Sequence, residues 1–309
     1  MNFFDLHCDT LTKCMDSNES IFKNTKQNSV FELAKFEKAV QLFAIFTDDI
    51  HVNDSYNYVK RAVDFFYSEL GKYKDNIALF PDNKDKVGAI LTIEGGEPID
   101  SLETLDEFYR KGVRLLTLTW NRVNKLGSGM TSGSEDGLTD LGKAVVREMN
   151  AKNMVIDVSH LNINGFKDVA KLSEKPFAAT HSNCREICSH PRNLYDWQIK
   201  EIKNAGGIIG LNLYAPFLSD GKKADIDDIL RHTDHFLELG CEDNLCLGCD
   251  FDGIDKSPEG INGTADMYKL YDIFKKNFGS TAEKIFYDNA ETFFNKLRKS
   301  PASKAGVLT

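Results

Sequence analysis

A histidine and an aspartate, His7 and Asp9, stand two positions apart where an apolar run starting at Asn2 gives way to polar residues. Residues i and i+2 of a strand face the same side, so the imidazole and the carboxylate can share one cation. Nitrogen and oxygen donors at about 2.0–2.2 Å suit zinc. The pair equally fits a hydrogen-bonded contact at a strand end. Glu94 closes the run 88–93 and precedes Gly95-Gly96, where backbone can approach a ligand closely. It reads either as a solvated loop acid or as a carboxylate bridging two cations about 3.5–4 Å apart. His160 follows the run 154–158 after one serine, and His181 follows 177–180. Taken alone, each is more commonly a satisfied core or rim histidine than a ligand. Together with Asp250 at the end of the last run, however, three of the seven histidines and three acids take equivalent strand-terminal places. Coincidence would have to act six times, and the pattern favours a two-metal hydrolase site.

Such a site needs a carboxylate that accepts a proton from a metal-bridging water, its pKa lowered toward about 7, and hands it to a leaving group. Asp250 is the expected general acid/base, set across the mouth from His7. Asp252 is expected to turn away or cap the following turn. Arg192, in Ser189-His190-Pro191-Arg192-Asn193, reads as a clamp for a substrate carboxylate or, equally, as a loop-organising salt bridge. His190 beside it reads as packing or as a support for the residues that meet the substrate. His51, His232 and His235 lie among polar residues and read as solvated surface positions.

These residues must be carried to one place by the elements between them. Short apolar runs recur at 2–6, 39–46, 88–93, 113–119, 154–158, 177–180, 206–213 and 245–249. Several are apolar almost throughout, as parallel strands covered on both faces are. Segments of helical spacing at 58–70, 138–152, 162–172, 196–204 and 224–239 lie between them. Eight alternations in 309 residues predict one eight-stranded parallel (β/α)8 barrel, a single domain over 1–309, whose strand C-termini open on a common mouth. The polar segment 10–38 is expected above that mouth or as a plain surface loop.

Composition narrows the partners. Asp+Glu 47 against Lys+Arg 38, a net charge of -9, gives a field that repels phosphate backbones, so nucleic acid is not an expected partner. A mean hydropathy of -0.36 with no apolar stretch near the roughly 20 residues of a bilayer crossing argues against a membrane span. No basic segment followed by an apolar run opens the chain, which points to a cytoplasmic protein. Seven cysteines, an odd count, are expected as reduced thiols, and Cys246 and Cys249 should point to opposite faces of their run, against a zinc knuckle there.

At this point the residues resemble the membrane dipeptidases, also called renal dipeptidases, of the amidohydrolase superfamily. The carriers are Asp5-Leu6-His7-Cys8-Asp9-Thr10, Ile93-Glu94-Gly95-Gly96, Leu116-Thr117-Leu118-Thr119, Gly137-Leu138-Thr139-Asp140-Leu141-Gly142, Ile156-Asp157-Val158-Ser159-His160, Thr180-His181-Ser182, Pro191-Arg192-Asn193 and Gly248-Cys249-Asp250-Phe251-Asp252-Gly253. They run through nearly the whole chain and are specific together rather than singly. The resemblance implies a dinuclear zinc dipeptidase, with His7, Asp9 and Glu94 on one ion and Glu94, His160 and His181 on the other. It also implies Arg192 on the C-terminal carboxylate of a small dipeptide, Asp250 on the free amine or in proton transfer, Tyr214 lining the pocket, and a homodimer. Where vertebrate members have a histidine that polarises the scissile carbonyl, this chain has Trp120, followed by Asn121. Polarisation would then fall to zinc, to Asn121 or to the indole N–H. The lipid-anchor tail of the vertebrate members is not recognisable in 302–309. A sibling amidohydrolase cleaving an N-acyl amino acid or a lactam is the alternative enzyme, and a non-catalytic metal-binding barrel the alternative of another class.

Overall fold

The computed structural model describes residues 1–221 and 223–299. The tail 302–309, read above for an anchor signal, lies outside the described residues. Each of the eight apolar runs forms a strand: β1 (Asn2–Cys8), β2 (Lys38–Phe46), β4 (Val87–Glu94), β5 (Val113–Thr117), β6 (Val155–Asp157), β7 (Ala178–Ala179), β8 (Ile208–Leu211) and β9 (Leu245–Leu247). A further strand, β3 (Ile77–Leu79), pairs in parallel with the start of β4, outside the ring. All neighbours in the order β1-β2-β4-β5-β6-β7-β8-β9 are parallel, and β9 pairs back onto β1. The sheet therefore closes into the expected eight-stranded parallel barrel.

One apolar layer fills its interior, with Phe4 and Leu6 from β1, Val40 and Leu42, Ile90, Leu115, Val155, Ala178, Ile208 and Cys246 drawn from all eight strands of the ring. The helix Asn289–Lys299 closes the floor through Ala290, Phe293, Phe294 and Leu297. Phe4 stacks on Phe294 at 5.6 Å, so truncating this fully buried ring would cost about 3–5 kcal/mol. Outward residues such as Cys249, Leu91 and Ile93 join a second cluster under the helices Ser55–Lys72, Leu102–Arg110, Asp140–Lys152, Ile163–Leu172, Asp196–Asn204 and Ile226–Glu238. Cys246 and Cys249 thus do face opposite ways, and all seven cysteines are buried and unpaired.

The segment 10–38 departs from its reading as polar cover. Thr10–Ser17 is a helix whose Leu11 and Cys14 are buried, and Ile21, Val30 and Leu33 extend that core, so a sparse apolar spacing suffices to bury one face. Among the described residues no helix is long and apolar enough to cross a membrane.

Candidate active site

Strict alternation along β1 would aim His7 away from the barrel, because Leu6 faces the interior layer while Cys8 packs in the outer cluster. The register between β1 and β2 shifts between Asp5 and Cys8, and this bulge turns His7 and Asp9 inward together. Glu94 follows Ile90 at even spacing along β4, because the register shift between β4 and β5 places its extra residue, Arg114, on β5 and leaves the alternation of β4 unbroken. His160 and Asp250 leave β6 and β9 in left-handed backbone conformation, with φ of 66° and 62°. Each costs on the order of 1–2 kcal/mol, held by the surrounding barrel, and each re-aims its side chain over the mouth.

Six predicted residues converge there. Glu94 is the centre: its Oε2 lies 3.3 Å from His7 Nε2, and its Oε1 lies 3.1 Å from His160 Nε2 and 3.5 Å from His181 Nε2. Asp9 Oδ2 and Asp250 Oδ1 each lie 3.8 Å from His7 Nε2. Asp250 is therefore beside His7 rather than across the mouth, since closure of the ring makes the first and last strands neighbours; its N–H donates to the His7 carbonyl at 3.1 Å. Donor atoms of His7, Glu94 and His181 lie within 4.8 Å of one another, as do those of His7, Asp9 and Asp250.

Burial sets the protonation of this cluster against its charges. It would depress His7, but Glu94, Asp9 and Asp250 outweigh it and push the imidazole up to about 10. Burial likewise opposes the ionised form of Glu94, yet His7 and His160 hold that carboxyl well below the usual range. Asp250 is pushed up to about 6 by burial, with His7 pulling the other way. Burial, then the charge of Arg192, takes His160 down to about 4, and burial with the charge of His7 holds His181 well below its ordinary value.

The residues beneath the cluster orient it. His160 Nδ1 is 2.9 Å from Asn121 Oδ1, so the Asn121 carbonyl is engaged with that ring. Asp157, fully buried, accepts the hydroxyls of Thr117 and Thr180, and Thr180 Oγ1 also contacts His181 Nδ1 at 2.9 Å. Asn212 donates to Asp250 Oδ2 at 3.0 Å. Sequence reasoning gave no role to Asp157, Thr180 or Asn212. The available signal was a charged residue, Asp157, inside an otherwise apolar run.

Arg192 is buried, with its Nη2 donating to the His181 carbonyl at 3.3 Å and its Nε without a partner. It forms no ion pair among the described residues, unlike the salt-bridge alternative, and burial lowers it to about 10. Tyr214 stands half-buried, edge-on to Phe217 at 4.8 Å, and Trp120 packs 5.1 Å from Phe46 and 6.0 Å from His160. Asp252 turns away as expected, accepting from Thr10 Oγ1 at 2.6 Å and the Gln27 N–H at 2.7 Å. His190 packs on Phe217 and accepts the Arg192 N–H at 3.2 Å. The reading of the remaining histidines as solvated is corrected. His232 is fully buried because its helix face meets backbone partners, the Cys184 N–H and the Leu218 carbonyl, while His51 and His235 are half-buried because each rests against an acidic side chain, Asp48 and Asp196.

The chain is similar throughout to a known family. A family model described as membrane dipeptidase (peptidase family M19) matches residues 1–298. An uncharacterized dipeptidase of Schizosaccharomyces pombe is 34% identical over 209 residues, 65% of this chain and 49% of the relative, so the chain matches about half the length of that protein. The crystal structure of the dipeptidase AC, a metallopeptidase of family M19, superposes with a TM-score of 0.88 at 25% identity, covering 98% of this chain and 99% of its own. A metallopeptidase from Rhodobacter sphaeroides, liganded with a phosphinate mimic of the dipeptide L-Ala-D-Ala, gives a TM-score of 0.82 at 25% identity over 96% of this chain and 99% of its own.

Proposed function

Because the chain belongs to the membrane dipeptidase family, we propose that it hydrolyses the peptide bond of small dipeptides with two divalent cations, zinc by preference, at the barrel mouth. The observation that carries this reading is the division of Glu94, one oxygen toward His7 and the other toward His160 and His181. A single buried carboxylate so divided is suited to bridge two cations.

The residues fit such ions. His181 Nε2 and Asp9 Oδ1 are buried without hydrogen-bond partners among the described residues, a costly state unless a cation takes their lone pairs, and His7 Nε2 stands among three carboxylates that a cation would share in place of the ring's proton. Three imidazoles and two carboxylates are the nitrogen and oxygen set that zinc prefers. In this reading His7, Asp9 and Glu94 hold one ion, and Glu94, His160 and His181 the other. Bound cations would supply Lewis acidity, polarising a carbonyl and lowering the pKa of water.

The chain's own groups do the rest. Asp250, its Oδ2 engaged by Asn212, uses Oδ1 to take a proton from the attacking water and return it to the departing amine. Arg192, buried and without an ion pair among the described residues, receives the substrate's free carboxylate in paired charge-assisted hydrogen bonds. Tyr214 and Trp120 wall the cleft. Asn121 keeps His160 in place, and its amide N–H remains to meet the scissile carbonyl. The dipeptide mimic on the Rhodobacter sphaeroides protein directs the substrate class, including a D-residue at the C-terminal position.

A panel of dipeptides assayed beside N-acyl amino acids tests the proposal. Turnover confined to the dipeptides, abolished by a chelator and restored by zinc, is the expected result. Turnover of the acylated amino acids alone would move the chain to a sibling amide hydrolase.

A further inference from the structure

One layer below the cluster, Asp157 is fully buried and takes part in no step assigned above. Its Oδ1 accepts the backbone N–H groups of Ser159 and Thr180, each at 3.0 Å. Its Oδ2 accepts the hydroxyls of Thr117 and Thr180, each at 2.6 Å. Four donors thus point at one carboxylate, and both its oxygens act as acceptors.

A hydroxyl has one proton to donate. Thr180 gives its proton to Asp157, so in the 2.9 Å contact between Thr180 Oγ1 and His181 Nδ1 the ring nitrogen is the donor. A proton on Nδ1 leaves the lone pair on Nε2. That atom is buried, has no hydrogen-bond partner and faces Glu94 Oε1 at 3.5 Å. The backbone fixes Thr180 as well: a Cβ on either Gly210 or Gly248 would overlap the Thr180 carbonyl, so β8 and β9 close on it as only glycine allows.

We propose that Asp157 and Thr180 are positioning residues that lock His181, through the chain Asp157–Thr180–His181, in the tautomer presenting Nε2 to a divalent cation, and so set the affinity of the site for that cation. The arrangement is a hydroxyl-relayed form of the carboxylate support that metal-binding histidines commonly have. It rests on the metal-site reading above and adds the residues that tune it.

Thr117 supplies an internal control, because its hydroxyl reaches the same Asp157 oxygen at the same distance without being the group that meets His181. Zinc is titrated into chelator-stripped full-length protein against a chromophoric chelator, for wild type, Thr180→Val, Thr180→Ser and Thr117→Val. The relay predicts a zinc Kd weakened about 10- to 100-fold in Thr180→Val, with Thr180→Ser and Thr117→Val within about threefold of wild type. Unchanged affinity in Thr180→Val, or equal losses in both valine variants, overturns it. Should Thr180→Val fail to fold, nitrogen NMR of zinc-loaded wild type decides: a proton on His181 Nδ1 is the expected state, and its absence overturns the relay. A wild type that binds no zinc would sink the metal-site reading instead, and the same NMR on the protein as purified would still decide the tautomer.

Discussion

The side-chain amide of Asn212 donates to Oδ2 of Asp250 at 3.0 Å while its own carbonyl accepts the Tyr214 backbone N–H at 2.5 Å. Asn212 cannot turn over without losing both contacts. Asp250 is thereby held with Oδ1 toward His7, beside the candidate ligand cluster and without being its centre.

From that relationship, Asp250→Asn should fold and keep its metal, since an amide oxygen can still accept from Asn212. It can no longer shuttle a proton, and kcat should fall by at least about 100-fold, the lower end of what general acid–base catalysis contributes. Steady-state kinetics beside elemental analysis checks both halves; near-normal turnover in the metal-replete variant would take the proton transfer away from Asp250.

Gly253 has no room for a side chain, because a Cβ there would overlap the Asp9 carboxylate and press on Asp250 Oδ1. Gly253→Ala should push Asp9 off His7, reduce bound metal and cost about 1–3 kcal/mol of stability, as overpacking does. Metal content and urea unfolding measured on one preparation test this, and full metal retention would show that Asp9 is not required to stay where it is.

The strand ends were legible because parallel barrels bury both faces of their strands, so the polar residues that close the runs, from His7 to Asp250, stood out, whereas Asp157, set inside a run, drew no role. Devices that act through backbone left no comparable trace. The bulge between Asp5 and Cys8, which decides that His7 faces inward, falls where the run 2–6 gives way to polar residues, and no glycine or proline there announces it. The left-handed turns at His160 and Asp250 are made without glycine, by residue types that enter this region more readily than most yet lie outside it far more often. Ring closure, which makes Asp250 a neighbour of His7, follows from topology rather than from spacing. His232 misled for the opposite reason: its sequence neighbours are polar, while the groups that satisfy it, the Cys184 N–H and the Leu218 carbonyl, are distant in sequence.

Arg192 carries its own test. With burial and no ion pair in its favour, Arg192 should discriminate a free carboxylate from its amide. Amidating the dipeptide C-terminus should lower wild-type kcat/KM by about 10- to 100-fold, the worth of a charge-assisted pair, and Arg192→Met should erase most of that difference. A variant that still discriminates as wild type does would assign the carboxylate to another residue.

Stability should carry the mark of His232. Its Nδ1 accepts the Cys184 N–H and its Nε2 faces the Leu218 carbonyl, each at 3.1 Å, so the folded ring is neutral. Burial lowers it from the ordinary imidazole value of about 6.5 to about 4. A folded pKa below the unfolded one means that the unfolded chain binds more protons between those values. The contribution is therefore complete above about pH 6.5 and is lost as pH falls toward 4, on the order of 3 kcal/mol in all. Urea unfolding of wild type and His232→Gln from pH 7 to pH 4 should show wild type losing its advantage across this window; parallel curves would place the acid sensitivity elsewhere.

The central claim is the bridged metal pair at Glu94, and the ratio of metal to chain tests it most directly. Protein purified gently without chelator and equilibrated with zinc should carry about two ions per chain, falling toward one or none in Glu94→Gln, which keeps the shape of the side chain but weakens the bridge. One ion or none in wild type, or an unchanged pair in Glu94→Gln, would contradict it.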